Sequence, residues 1–387
     1  MNDVRIGLIG LGNIGMYHAE QLAKGNIDGA VLAAVADTRD DHLNQWLGEH
    51  APDAGAFSDA EAMLGAGCCD AVIIATPPAL HAPLAIAAFA QGLHVQIEKP
   101  AGVCAHDVHP MNRAATESGR VFGIQFFHRF YPVYQRAKRL IEAGDLGELQ
   151  RSQWTSTKWY RTQDYYDSGG WRGTWKGEGG GVLVNQCPHD LDIWTWLCGQ
   201  PTSVRANCRF GQWHNLEVED DVTAFAEFAN GASGVFICST GEFPGTNRLE
   251  IVGDRGTLVI EDDQRLTFTR VTESVREHCR HAQGFGNPAS EQPTVETFDQ
   301  LASNMDCTRN FVDAIRYGTP LVAPGVEGLN SLELANAMQL STWLDKTIAL
   351  PTNAEQYRAI LDEKIRTSTV KKPNVVRNLD INASWKK

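Results

Sequence analysis

Three glycines near the start of the chain restrict its fold more than any other feature. Gly10-Leu11-Gly12-Asn13-Ile14-Gly15 follows the apolar run Arg5–Ile9 and opens a helical stretch, Met16–Lys24, that stops at Gly25. Strand, glycine turn and helix in that order form the context in which this spacing binds a dinucleotide. Gly10 permits the tight turn, Gly12 lets the backbone approach a pyrophosphate, and Gly15 lets helix and strand pack closely. Asn13 and Ile14 sit at the helix N-terminus, which attracts the phosphates. A second strand, Val31–Ala36, ends at Asp37, twenty-two residues after Gly15 (37 − 15). A carboxylate there suits the ribose 2′-hydroxyl of NAD and repels the 2′-phosphate of NADP, whereas Arg39 keeps NADP open as a second cofactor. Without these neighbours the same glycines would be an ordinary βα turn.

The alternation continues through Asp70–Ala75, the helical stretch Pro83–Gln91, Leu93–Ile97 and Val121–Gln125. Strands alternating with helices predict an α/β fold, here a doubly wound parallel sheet over residues 1–127. The pattern then changes. After a helix over Tyr134–Ala143 come β-rich runs at Arg151–Lys158, Ser203–Arg209, Val222–Phe228, Gly234–Ser239, Arg248–Val252, Thr257–Ile260 and Arg265–Thr269. They predict a second, α+β domain over 128–387 with an open, mainly antiparallel sheet. Residues 271–298 read as a loop, Met305–Tyr317 and Gly328–Leu344 as helices, and the tail after Ile365, with Trp385, as a partner-gripping arm or a frayed end.

A net charge of −13 argues against nucleic acid, which needs a basic stripe. No run is long enough for a membrane span, and Ile6–Gly10 is too short and glycine-broken for a signal peptide. Nine scattered cysteines without a CxxC pair predict neither a disulfide framework nor a metal site, and suit a cytoplasmic protein.

Two further segments carry chemistry. Glu98-Lys99-Pro100 follows Leu93–Ile97, so Lys99 stands at the carboxyl end of a late strand, where a parallel sheet binds its ligand. A lysine beside a hydride acceptor can polarise an oxygen or move its proton, although a lysine after a strand is ordinarily only solvated. The second segment runs from Gly179-Gly180-Gly181 through Asn185 and Pro188-His189-Asp190-Leu191-Asp192 to Gly199. Pro188 suits the first helical position, which puts His189 in the first turn. The positive helix end disfavours imidazolium, so His189 should be neutral and able to accept a proton. Asn185, four residues earlier, falls in the same pocket. Histidines at helix starts are also common as purely structural residues.

With these residues in place the chain resembles the Gfo/Idh/MocA oxidoreductases, relatives of glucose–fructose oxidoreductase and inositol dehydrogenase. The resemblance runs over nearly the whole length. It rests on Gly10-x-Gly12-x-x-Gly15, Thr76-Pro77-Pro78 with His81, Glu98-Lys99-Pro100, and Asn185-x-x-x-His189-x-x-Asp192. It implies an N-terminal Rossmann domain whose cofactor residues include Thr76, Pro77, His81, Glu98 and Lys99, and a C-terminal domain whose open sheet builds a homodimer or homotetramer. It also implies Lys99 and His189 as the catalytic pair, with Asn185 beside them, and a Lys99–Pro100 bond that is often cis. Many relatives carry aspartate where Asn185 stands; asparagine cannot ionise, which leaves open whether His189 or Lys99 is the base.

The aromatic stretch Trp159-Tyr160-Arg161-Thr162-Gln163-Asp164-Tyr165-Tyr166, with Trp171, Arg172 and Trp175, precedes the catalytic segment. Its faces can stack on a pyranose and its arginines can bind hydroxyls or a carboxylate, which makes Arg161, Tyr165, Tyr166, Asn185, Lys99 and His189 the substrate residues. The same residue types also build subunit interfaces. Arg129, Thr240–Phe243 and Asn247-Arg248 are further candidates for the cleft wall. The expected activity is NAD(H)-dependent oxidation of a secondary hydroxyl of a sugar, glycoside or cyclic polyol, or the reverse reduction. Two rivals are an NAD-retaining, redox-assisted glycosidase and a non-catalytic nucleotide- or sugar-sensing regulator. Net NADH release separates the first rival from a dehydrogenase, and a sensor has no need of Lys99 or His189.

Overall fold

The computed structural model describes residues 2–369. Six short apolar strands, β1 (Val4–Ile9), β2 (Ala30–Ala36), β3 (Gly55–Phe57), β4 (Ala71–Ile74), β5 (His94–Ile97) and β6 (Phe122–Ile124), pair in parallel in the order β3-β2-β1-β4-β5-β6. Strands β1 and β4 are apolar along almost their whole length because helices cover both faces of the sheet. The order reverses direction between β1 and β4, and a crevice opens there outside the carboxyl ends of the strands.

The second sheet has nine strands: β7 (Leu149–Ser156), β8 (Ser203–Phe210), β9 (Glu219–Glu227), β10 (Ser233–Ser239), β11 (Asn247–Gly253), β12 (Gly256–Glu261), β13 (Arg265–Arg270), β14 (Thr294–Thr297) and β15 (Ile348–Ala349). Its order is β14-β13-β12-β11-β7-β10-β9-β8-β15, antiparallel except for the β7–β10 pair. Side chains alternate between buried and exposed along β8, β9 and β11, because only one face packs on helices. Trp194, on the Pro188–Cys198 helix, stacks on Phe236 with centroids 5.5 Å apart and donates to Ser152 at 3.0 Å. Twelve residues of the Gly328–Leu344 helix are buried. The chain finally returns to the parallel sheet: Phe311 and Val312, on the Asn304–Tyr317 helix, join Ile6, Leu8 and Ile73 in one apolar cluster.

The region 271–298, expected as a loop, contains a helix (Val275–His281, capped by Ser274) and β14. That helix buries none of its residues, so it leaves no apolar period in the sequence, and β14 is held by its backbone ladder to β13. The Ala354–Thr367 helix, also unforeseen, buries only Tyr357 and Leu361. Residues 370–387, with Trp385, lie outside the described residues. No helix among the described residues is long and apolar enough to cross a membrane.

Candidate active site

A single cavity of ≈ 1070 Å³ runs from the glycine turn to the aromatic segment and the catalytic helix. Its first half is mostly backbone. Gly10 has φ +95°, and a side chain there would meet the Ala75 carbonyl at 2.9 Å. A methyl on Gly12 would meet nothing within 4 Å, so the turn is open to a ligand. On Gly15 it would lie 1.9 Å from the Gly10 carbonyl oxygen, so the helix sits directly against the turn. Asn13 and Ile14 begin the Asn13–Ala23 helix and line the cavity, and no side chain caps the first-turn N–H groups. Those donors fit an anion.

Asp37 lies at the end of β2 and accepts the Leu11 N–H at 2.7 Å. Arg39 folds back on it: Nε donates to Asp37 at 2.9 Å, and Nη2 donates to the Leu11 carbonyl at 2.7 Å. Burial raises the Asp37 pKa, but the Arg39 side chain and the N–H groups of Leu11 and Arg39 outweigh it and hold the carboxyl below its usual range. Both Asp37 and Arg39 line the cavity, as do Thr76, Pro77 and Glu98. Glu98 is pinned by the buried His18 at 2.8 Å and by the Lys99 N–H at 3.1 Å. Bare first-turn donors, an open Gly12 and a terminal carboxylate together fit NAD.

His81, expected at the cofactor, is fully buried and does not line the cavity. Its ring nitrogens bond the carbonyls of Thr76 and Pro100, each at 2.8 Å. It ties together the two loops that carry Thr76 and Lys99.

The other half of the cavity is made of side chains. Lys99, preceding a cis peptide to Pro100, extends its ammonium to the Asn185 carbonyl at 2.8 Å. Burial lowers its pKa, Arg172 and Arg161 add to that, and Glu98 and Glu178 oppose it. His189 is the second residue of its helix and is 2% exposed, and neither ring nitrogen has a hydrogen-bond partner among the described residues. Its ring stacks on His128 at 4.2 Å and meets the edge of Phe127 at 4.7 Å. Its pKa lies well below that of an ordinary imidazole. The main cause is burial in this aromatic nest rather than the helix start expected from the sequence, with His128 and Lys99 next.

The aromatic segment divides. Tyr165 faces the cavity; Arg172 Nη1 donates to its hydroxyl at 2.7 Å, and Arg161 and Arg172 lie over its ring. Tyr166, one residue on in the short Gln163–Asp167 helix, points the other way. It is 1% exposed, donates to Thr240 at 3.0 Å and is absent from the cavity wall, so it packs rather than binds substrate. Arg161, Tyr160, Trp159 and Trp171 line the cavity, but Trp175 packs on Phe210 and Trp343. Arg129 is buried against Asp192 and Glu327, and none of Thr240–Phe243, Asn247 or Arg248 reaches the wall. Sequence reading missed Glu178, which lines the cavity beside Asn185, and His128, which backs His189.

Residues 4–126 match the NAD-binding Rossmann-fold domain of the Gfo/Idh/MocA oxidoreductases, and residues 134–259 match their C-terminal domain. The chain belongs to that family. This oxidoreductase is NAD-dependent. It is 29% identical to a scyllo-inositol 2-dehydrogenase (NAD(+)) of Bacillus subtilis (strain 168) over 264 residues, which cover 67% of this chain and 74% of the relative. A myo-inositol 2-dehydrogenase of Thermotoga maritima is 25% identical over 356 residues, 90% of this chain and 98% of that one. Among solved structures, the WlbA dehydrogenase of Bordetella pertussis, in complex with NADH and UDP-GlcNAcA, superposes with a TM-score of 0.75 at 27% identity. That superposition covers 91% of this chain and 100% of the neighbour.

Proposed function

We propose that this oxidoreductase interconverts a secondary hydroxyl of a sugar, glycoside or cyclic polyol and the corresponding ketone. The observation that carries the reading is one cavity lined at one end by the glycine turn and Asp37, and at the other by Lys99 and His189. NAD, when bound, supplies the hydride acceptor. The N-terminal domain provides the turn, Asp37 and Lys99 for it, and Trp159–Thr162, Asp164, Tyr165, Ser168–Arg172, Glu178, Asn185 and His189 provide most of the substrate wall. In oxidation, His189 takes the hydroxyl proton. Its nitrogens are unengaged and its burial keeps it neutral, which is the form a base requires. Lys99, held by the Asn185 carbonyl, polarises the same oxygen. Tyr165, Arg161 and Trp171 offer aromatic faces and donors to a hydroxyl-rich ring. The inositol dehydrogenases among the relatives favour this substrate class over others.

The reading places the enzyme in the cytoplasm, as a homodimer or homotetramer joined through the open face of the second sheet. Phe225 of β9, 47% exposed on that face, supports an interface there. The test is a panel of cyclitols, free sugars and glycosides incubated with NAD, followed at 340 nm. Net NADH with at least one substrate, with the ketone as product, supports the reading. Glycosidic cleavage without net NADH would instead support the redox-assisted glycosidase, and binding without turnover would support a regulator.

A further inference from the structure

Asn185 carries no charge, yet the fold sets a carboxylate against its side chain. Glu178 is 2% exposed and lines the cavity. One carboxyl oxygen accepts the Asn185 amide, and the other accepts the Gly173 N–H at 2.7 Å. The chain that carries it is pinned, because Gly179 has φ +76° and a side chain there would meet Val103 at 2.7 Å. Asn185 thus joins two opposite charges: its backbone carbonyl accepts from the Lys99 ammonium and its side-chain amide donates to Glu178. The side-chain amide of Asn185, expected among the substrate residues, is engaged by this carboxyl group.

We propose that Glu178 is a positioning residue of the active site: its carboxyl group fixes the Asn185 side-chain amide and, through that residue, the backbone carbonyl that receives the Lys99 ammonium. The inference rests on the reading that Lys99 polarises the reacting oxygen. The charged and titratable groups facing Glu178 are Lys99 after β5, and Arg172, Tyr165 and Tyr166 of the aromatic segment, with Arg161 over the Tyr165 ring. Glu98, hydrogen-bonded to His18, acts on Lys99 more strongly than Glu178 does. Burial, the largest effect, leaves the Glu178 carboxyl above its usual range, although Arg172, the Gly173 and Asn185 N–H donors and Lys99 oppose it. Aspartate at position 185 would set two carboxylates against each other in this wall, so one would have to take up a proton. Asparagine at 185 and glutamate at 178 therefore form a matched pair in which one carboxyl group, and not two, occupies this part of the wall.

The test is a mutant cycle read as kcat and KM against pH. Glu178→Gln keeps the shape and removes the charge. It should lower kcat roughly tenfold or more and move the alkaline limb to lower pH, because Lys99 loses an anion, while NADH binding stays intact. Asn185→Asp alone should lose activity at neutral pH and regain part of it on acidification, as the paired carboxylates share a proton. The double variant Glu178→Gln/Asn185→Asp should exceed the product of the single effects by about tenfold, because a single carboxyl group is restored. Multiplicative losses, or Glu178→Gln with unchanged kcat and alkaline limb, would overturn the proposal. Should Glu178→Gln fail to fold, Asn185→Asp still decides it, since a loss independent of pH contradicts the pairing. Lys99→Met separates the two layers: turnover retained in that variant defeats the functional reading, whereas turnover lost there but unchanged in Glu178→Gln defeats only this inference.

Discussion

The two ends of the cavity are built from different materials. The dinucleotide end is almost entirely local: a strand, three glycines, one helix N-terminus and an acid twenty-two residues later (37 − 15). Its geometry follows from backbone space, since a methyl on Gly15 has no room and a methyl on Gly12 would intrude where the turn is open. The substrate end is assembled from residues far apart in the chain. Lys99 meets Asn185 across 86 positions, and His189 rests on His128 across 61 (189 − 128). Side chains decide that end, and each is held by a partner that no short spacing announces. The lesson is that a site made of backbone can be read from a motif, while a site made of side chains depends on which way each one faces.

Removing a side chain from the assembled end should have the largest effect. His189→Ala should lower kcat for oxidation by about 10²–10⁴. The wild-type rate should stay flat from neutrality down past the ordinary imidazole value of about 6.5, because burial holds the His189 pKa well below it and the neutral base persists. An acidic limb should appear only beneath that value and should vanish in His189→Ala. Steady-state rates from pH 5 to 9 check this; a wild-type limb at or above 6.5 would contradict the buried, neutral histidine.

At the local end the expected change is smaller and confined to the cofactor. Asp37→Ala should weaken NAD roughly tenfold and narrow the preference over NADP, since Arg39 loses the carboxylate it clamps. Titrating both cofactors measures it, and tighter NADP binding by the wild type would break the assignment.

The smallest effect sharpens the comparison within the assembled end. Tyr166→Phe removes one buried hydrogen bond to Thr240 and should cost about 1 kcal/mol of stability with no change in KM. Tyr165→Phe, which loosens Arg172 in the cavity wall, should raise KM with little change in Tm. Thermal melts and KM values on both variants decide which tyrosine faces the substrate.

The parallel sheet was legible because β1, β2 and β4 are mostly apolar runs, with β4 wholly buried, and the glycine turn because backbone space dictates its residues. The Val275–His281 helix was hidden because it buries nothing. His81 was visible as part of a motif, but whether it touches a cofactor or ties two loops depends on its ring orientation, which the motif does not encode. Tyr165 and Tyr166 are chemically identical neighbours that the helix sends to opposite sides. Glu178 is a lone glutamate ahead of three glycines; only the fold brings it to Asn185. His128 had a faint signal, an aromatic run from Phe126 to Tyr131 with a histidine inside it.

The two ends work separately: backbone holds the cofactor, and Lys99 acts on the substrate oxygen. Lys99→Met tests this most directly when NADH binding, by fluorescence titration, and turnover are measured on the same preparation. The Kd for NADH should stay within a few-fold of wild type while kcat falls by about 10² or more. Near-normal turnover, or loss of NADH binding in parallel with turnover, would contradict this separation.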